Sequence, residues 1–142
     1  MKVTTRQSAR VRVLVADDHD ALLSEVAELL SREFEIVGTA TDGAMLLDMA
    51  ARLKPDVVVT DVKMPKLSGI SAARRLLARG ECKAVVVLTM YSDPQLARMA
   101  LDAGIRGYVH KESAGEDLIP AILAALEGGT FVSAVISSRL PE

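Results

Sequence analysis

Tryptophan is absent from this chain of 142 residues, and phenylalanine and tyrosine occur only twice each. Half the residues are nevertheless hydrophobic, so the core must be built from Val, Leu, Ile, Ala and Met. A single cysteine, Cys82, excludes an internal disulfide and fits a reducing cytoplasm. No apolar run reaches spanning length; the longest, around residues 118–126, is about half of what a membrane helix needs. Residues 1–10 are polar and basic and lack the apolar stretch of a secretory signal or an anchor. A net charge of −2 gives no pointer to nucleic acid. There is no Gly-rich phosphate loop of GxGxxG or Walker type, which argues against a nucleotide- or flavin-binding domain. Internal repeats and low-complexity segments are also missing.

What is present is a regular alternation of strand and helix signals in a length that suits one domain. Residues 11–16, 34–40, 57–60, 84–89 and 107–110 read as strands, the second nearer an edge because Glu35 and Gly38 interrupt it. Residues 21–32 place Leu22, Val26, Leu29 and Leu30 on one helical stripe. Asp42 caps a second helix carrying Leu46, Leu47 and Met49, which stops before Pro55. A third helix spans residues 68–79, with Gly80 suited to its end. Asp93-Pro94 opens a fourth as a cap followed by a first-turn proline. Ser113-Ala114-Gly115-Glu116 fits a capping box for a fifth, with a kink or later start expected at Pro120 and an end at Gly128-Gly129.

Such βα alternation predicts a doubly wound parallel sheet of five strands in the order 2-1-3-4-5, a flavodoxin-like three-layer sandwich. The expected division is a flexible tail over residues 1–10, a domain over 11–128, and a tail or linker over 129–142. That last segment carries Phe131, Val132, Val135, Ile136 and Leu140, so it either packs on the body or starts a linker.

Four of the apolar runs end in chemistry. The first runs into Asp17-Asp18, the third into Asp61, the fourth into Thr89 and the fifth into Lys111. Ligands in α/β sheets bind at the carboxyl ends of the strands, so three carboxylates, a hydroxyl and an ammonium should converge on one edge. Carboxylates can hold Mg²⁺, a further carboxylate can accept a phosphoryl group, and the hydroxyl and ammonium can hold its oxygens. Each residue alone has a bland reading: Asp61 capping a loop, one acid of the pair capping the first helix, Lys111 snorkelling, Thr89 as an ordinary strand residue, Tyr108 as core filler. Only the constellation overturns these.

The pattern resembles the receiver domain of two-component response regulators. It rests on the acidic pair, the lone Asp61, Thr89 and Lys111, supported by Met64-Pro65, Gly69, and Tyr108 three residues before Lys111. Asp17-Asp18-His19, residues 88–93 and residues 107–112 are similar to the NarL/FixJ (LuxR-type) transcription regulators. In that family a helix-turn-helix domain follows the receiver. This chain stops where it would begin, which leaves a piece of a longer regulator and a stand-alone receiver both open.

The resemblance implies that Asp61 accepts a phosphoryl group from a sensor histidine kinase. Asp18, Asp61 and the Lys63 carbonyl would ligate Mg²⁺, Asp17 acting largely through water. Lys111 would pair with Asp61 at rest and with a phosphoryl oxygen afterwards. Thr89 would move toward that group and Tyr108 turn inward, as a population shift that remodels the output surface. Lys63 and Tyr91 border the path of a hydrolytic water, and neither orients water well. The acyl phosphate is therefore expected to last on the order of minutes to hours. Glu112 stands where many receivers have a proline, leaving the Lys111–Glu112 peptide open between cis and trans.

The implied protein is cytoplasmic and non-enzymatic beyond assisting its own phosphorylation and dephosphorylation. The implied output is transcription control, with no direct nucleic acid or membrane contact by this chain. The fifth helix is apolar nearly all round, which fits a helix wedged between sheet and tail as well as a homodimer contact shared with the fourth. Arg74, Arg75 and Arg79 read as a solvated face, Cys82 as buried, and His19 and His110 receive no role. Asp18-His19-Asp20 also resembles the Asp-x-Asp motif of haloacid-dehalogenase-type phosphatases, whose second late acidic pair is not found here. A degenerate receiver serving only as a binding module ranks low, because every expected polar residue is present.

Overall fold

The computed structural model describes residues 10–137. Its elements are β1 (Arg12–Ala16), α1 (Asp20–Ser31), β2 (Glu35–Ala40), α2 (Gly43–Leu53), β3 (Val57–Thr60), α3 (Gly69–Arg79), β4 (Ala84–Thr89), α4 (Pro94–Asp102) and β5 (Gly107–His110). A 3₁₀ turn (Lys111–Ser113), α5 (Ala114–Leu126), β6 (Phe131–Val132) and α6 (Ala134–Ser137) follow. The strands run in the order β2-β1-β3-β4-β5-β6 with every neighbouring pair parallel.

The strands are β-branched runs because both faces of the sheet are covered. Alternate residues feed opposite cores. Val13 and Val15 join Val57, Val59, Val86, Leu88 and Val109 beneath α1 and α5. Leu14 and Ala16 join Val58, Val85, Val87 and Tyr108 beneath α2, α3 and α4. Burying each of these side chains contributes about 1.5–3 kcal/mol for the larger ones. β2 is one edge strand, with Glu35 and Thr39 exposed.

Local signals set the helix starts as expected. Asp42 Oδ1 accepts from the Met45 N–H at 2.7 Å, Ser68 Oγ from Ser71 at 3.1 Å, and Asp93 Oδ1 from Gln95 at 2.9 Å. Gly80 closes α3 in the left-handed region at φ 68°, where a Cβ would be strained. Arg74, Arg75 and Arg79 are exposed, and Cys82 is buried.

Four expectations need correction. The sheet has six strands, not five. Two residues are too few to show a period, but the Phe131 N–H donates to Arg106 O at 2.9 Å and the Ser133 N–H to Tyr108 O at 3.0 Å. The tail thus packs on the body as far as the described residues extend; Leu140 and residues 1–9 lie outside them. Arg10, at the end of the predicted flexible tail, donates to Phe34 O at 2.8 Å. Ser113 makes no side-chain cap; the preceding 3₁₀ turn takes its place, with His110 Nδ1 accepting from the Glu112 N–H at 3.2 Å. Pro120 does not delay the start of α5, which begins at Ala114 and continues through it; its exposed position leaves the freed carbonyl accessible to water. On α1 the buried stripe is Leu23, Val26 and Leu30, with Leu22 and Leu29 only half-buried.

Of the two readings of α5, the wedge is partly met. Leu118, Ala121, Ile122 and Ala125 are buried against the sheet, and Phe131 of the tail joins the same core. Leu123 remains 46% exposed, as does Met99 of α4 at 51%. All peptide bonds among the described residues are trans, including Lys111–Glu112.

Candidate functional site

Parallel pairing brings the carboxyl ends of β1, β3, β4 and β5 to one edge, and the predicted polar residues arrive there together. Asp17 and Asp61 are buried at 4% and 5% exposure, whereas Asp18 is more exposed. The ammonium of Lys111 lies between the two buried acids, 2.9 Å from Asp17 Oδ2 and 3.0 Å from Asp61 Oδ2. The predicted Asp61–Lys111 pair is present, but Lys111 serves Asp17 equally. Asp61 Oδ1 accepts from the Val62 N–H at 2.7 Å, so the other oxygen is oriented by the backbone of its own loop.

Electrostatics follow from this crowding. Burial pushes the Asp61 carboxyl above the usual aspartate range, Lys111 opposes that rise, and the charge of Asp17 adds to it. Burial alone would lower Lys111, but the hydrogen bonds and charges of Asp17 and Asp61 outweigh it and hold the ammonium above its ordinary value. Two buried carboxylates thus share one cation, and with Asp18 beside them the edge retains an excess of negative charge.

One oxygen of each of Asp17, Asp18 and Asp61 and a nitrogen of His19 lie within 4.8 Å of one another. Three carboxylates are the hard oxygen donors that Mg²⁺ prefers. His19 was given no role from the sequence, yet its Nδ1 lies 3.1 Å from Asp17 Oδ1 and 3.2 Å from Asp18 Oδ1. The signal available was only its adjacency to the pair. The expected helix-capping role of that pair is not observed: the N-cap of α1 is His19, which makes no side-chain cap, and Asp17 Oδ1 accepts the His19 N–H at 2.9 Å. Asp20 is exposed and stands outside this group of ligands among the described residues, which leaves the Asp-x-Asp alternative without its second acid.

Thr89 is fully buried at the end of β4, and its Oγ1 accepts from the Tyr91 N–H at 3.1 Å. Tyr108 is fully buried as well, so its ring is already inward. Its hydroxyl has no hydrogen-bond partner among the described residues, and burial, with Asp93 and Asp61 adding, pushes the phenol up to about 12. At the rim, the Lys63 ammonium lies 4.5 Å from the centroid of the Tyr91 ring. The loop bearing Lys63 is held from beneath. A Cβ at Gly69 would collide with the Asp61 carbonyl oxygen, and one at Gly43 with that of Leu67. The Gly69 N–H donates to Val62 O at 2.8 Å and the Gly43 N–H to Pro65 O at 3.2 Å. Sequence reading had noted Gly69 but not Gly43.

Comparison with known proteins agrees with this geometry. The family profile described as the response regulator receiver domain matches residues 13–123. The transcriptional regulatory protein PdtaR of Mycobacterium tuberculosis is 40% identical over 96% of this chain and 71% of its own length. The response regulator GacA of Pseudomonas aeruginosa is 37% identical over 92% of this chain, which spans 62% of that relative. Among solved structures, the isolated REC domain of RcsB from Salmonella enterica serovar Typhimurium, determined with the phosphomimetic BeF₃⁻, superposes with a TM-score of 0.83. It is 28% identical and covers 93% of this chain and 99% of that one.

Proposed function

Because this chain belongs to the response-regulator receiver-domain family, we propose that Asp61 is its phosphoacceptor, charged by the phosphohistidine of a sensor histidine kinase. A carboxylate oxygen of Asp61 attacks phosphorus, the P–N bond breaks, its electron pair and a proton go to the leaving imidazole, and an acyl phosphate remains. The observation that carries this reading is Lys111, whose ammonium is 3.0 Å from Asp61 and 2.9 Å from Asp17. It holds the acceptor at rest and stands within reach of the oxygens that arrive with the phosphoryl group.

Asp17, Asp18, Asp61 and the Lys63 carbonyl would hold Mg²⁺. When bound, that ion offsets the charge of the acid cluster and of the incoming oxygens. Thr89 exchanges its bond from the Tyr91 N–H for a phosphoryl oxygen, and the Tyr108 ring, already inward at rest and so not turning in from outside as expected, shifts within the core toward the space left behind. Modification adds about −1.5 to −2 charges at this edge. The response is a shift of population on the face of α4, β5 and α5, where a second copy of the chain would dock. The output we assign is transcription control through a DNA-binding domain outside this sequence, in the cytoplasm, with no nucleic acid contact by this chain. Among the described residues no helix is long and apolar enough to cross a membrane.

The test is intact mass after incubation with Mg²⁺ and acetyl phosphate, beside Asp61→Asn. One added phosphoryl group, lost without Mg²⁺ and lost in the variant, is the expected outcome. An unchanged adduct in Asp61→Asn would show another nucleophile.

A further inference from the structure

Ser133 is fully buried at the end of β6, and its hydroxyl is used twice. It donates to Asp117 Oδ2 of α5 at 2.8 Å and accepts the backbone N–H of His110 at 3.1 Å. The Ser133 N–H meanwhile donates to Tyr108 O at 3.0 Å, and β6 is in register with Gly107 and Tyr108. The Ser133 carbonyl accepts from Ile136 and Ser137 at 2.9 Å, closing the turn of α6. Ile136, itself fully buried, enters the same core as Tyr108. One buried serine thus gathers α5, the C-terminal segment and the last residues of β5. The residue after His110 is Lys111, held at its other end by Asp17 and Asp61.

We infer that the Asp117–Ser133–His110 chain is a positioning device for Lys111, through which the C-terminal segment senses the state of Asp61. This rests on the reading of Asp61 as phosphoacceptor. While Lys111 holds the two carboxylates, the His110 backbone lies where Ser133 can hold it, and the segment over residues 131–137 is docked. When Lys111 turns to a phosphoryl oxygen, the end of β5 shifts and the grip of Ser133 weakens. Coupling of this kind is reciprocal: whatever phosphorylation does to docking, undocking does to phosphorylation. Ser133 and Asp117 touch neither phosphorus nor metal ligands and act only through the β5 backbone.

The experiment is amide hydrogen exchange read by mass spectrometry on the whole chain, with and without Mg²⁺ and acetyl phosphate, and with beryllofluoride as the phosphoryl mimic. Exchange over residues 131–137 should rise at least about fivefold on phosphorylation. Ser133→Ala should raise it without phosphorylation and tighten beryllofluoride binding by a similar factor. Asp117→Asn keeps an acceptor for the Ser133 hydroxyl and should behave as the parent, whereas Asp117→Ala should follow Ser133→Ala. Asp117 is only half-buried, so its pair of variants carries the test should Ser133→Ala fail to fold. A purely structural bond would lower the melting temperature and leave beryllofluoride affinity unchanged, which overturns the coupling. An adduct with unchanged exchange also overturns the coupling alone. No adduct in the parent overturns the phosphoacceptor reading and the coupling with it.

Discussion

The ammonium of Lys63 stands 4.5 Å from the centre of the Tyr91 ring, joining the loop after β3 to the loop after β4 across the mouth of the acid cluster. A cation over an exposed aromatic face contributes about 0.5–1 kcal/mol. If the pair screens an acyl phosphate from water, Tyr91→Ala and Lys63→Ala should each shorten its lifetime by about two- to fivefold. The double variant should do no worse than either single one. The check is the decay of the intact-mass adduct after donor removal; fully multiplicative effects would show that the two side chains act separately.

The raised carboxyl of Asp61, driven first by burial, makes a pH prediction. Between the ordinary aspartate range and its raised folded value, the folded chain binds more protons than the unfolded one. Stability therefore falls as pH rises through that window. Asp61→Asn removes the effect and leaves Lys111 paired with Asp17. The variant should be more stable than the parent at neutral pH. The difference should shrink as pH drops through the raised value toward the ordinary aspartate range. Calorimetric melts across pH in metal-free buffer test this; a variant less stable at neutral pH contradicts it.

Two glycines should respond in opposite directions to alanine. At Gly69 the new methyl meets the Asp61 carbonyl oxygen, backbone that cannot step aside without moving the acceptor loop. Gly69→Ala should lose about 1–3 kcal/mol and with it the rate of phosphorylation. Gly115, in the first turn of α5, has no neighbour among the described residues within 4 Å of the added carbon. Gly115→Ala should gain about 0.4–1 kcal/mol. Urea denaturation of both variants reads the sign directly.

The buried hydroxyl of Tyr108, without a partner among the described residues, should be dispensable for folding. An orphaned buried polar group costs about 1–3 kcal/mol, so Tyr108→Phe should hold or raise the melting temperature. A drop of several degrees would reveal a partner for that oxygen.

Legibility in the sequence followed distance along the chain. β1, β3 and β4 announced themselves as valine-rich runs, and Asp42 and Asp93 as caps, because each depends on residues within about a turn of itself; Ser68 was read as the first residue of its helix and is instead the cap. Asp61, Thr89 and Lys111 were legible because strand ends carry ligands in such sheets, a rule of topology and not of spacing. What stayed hidden was set by contacts between distant segments. That Lys111 divides itself between two acids depends on how far β1 stands from β5. That Phe131 and Val132 form a strand depends on an open edge 24 residues earlier, read from the Gly107–Phe131 and Tyr108–Val132 registers. Ser113 looked like a cap by composition, yet the 3₁₀ turn reached the backbone first.

The two-residue β6 has a consequence for anyone who shortens this chain. β5 is buried, and its outer row of backbone acceptors is met by the Phe131 and Ser133 N–H groups. A fragment ending near residue 129 would bare that row beside Val109 and Tyr108, an open template for a strand from another molecule. Self-association of such a fragment would then be an artefact of the cut edge, to be separated from any signal-driven pairing by retaining the native plug.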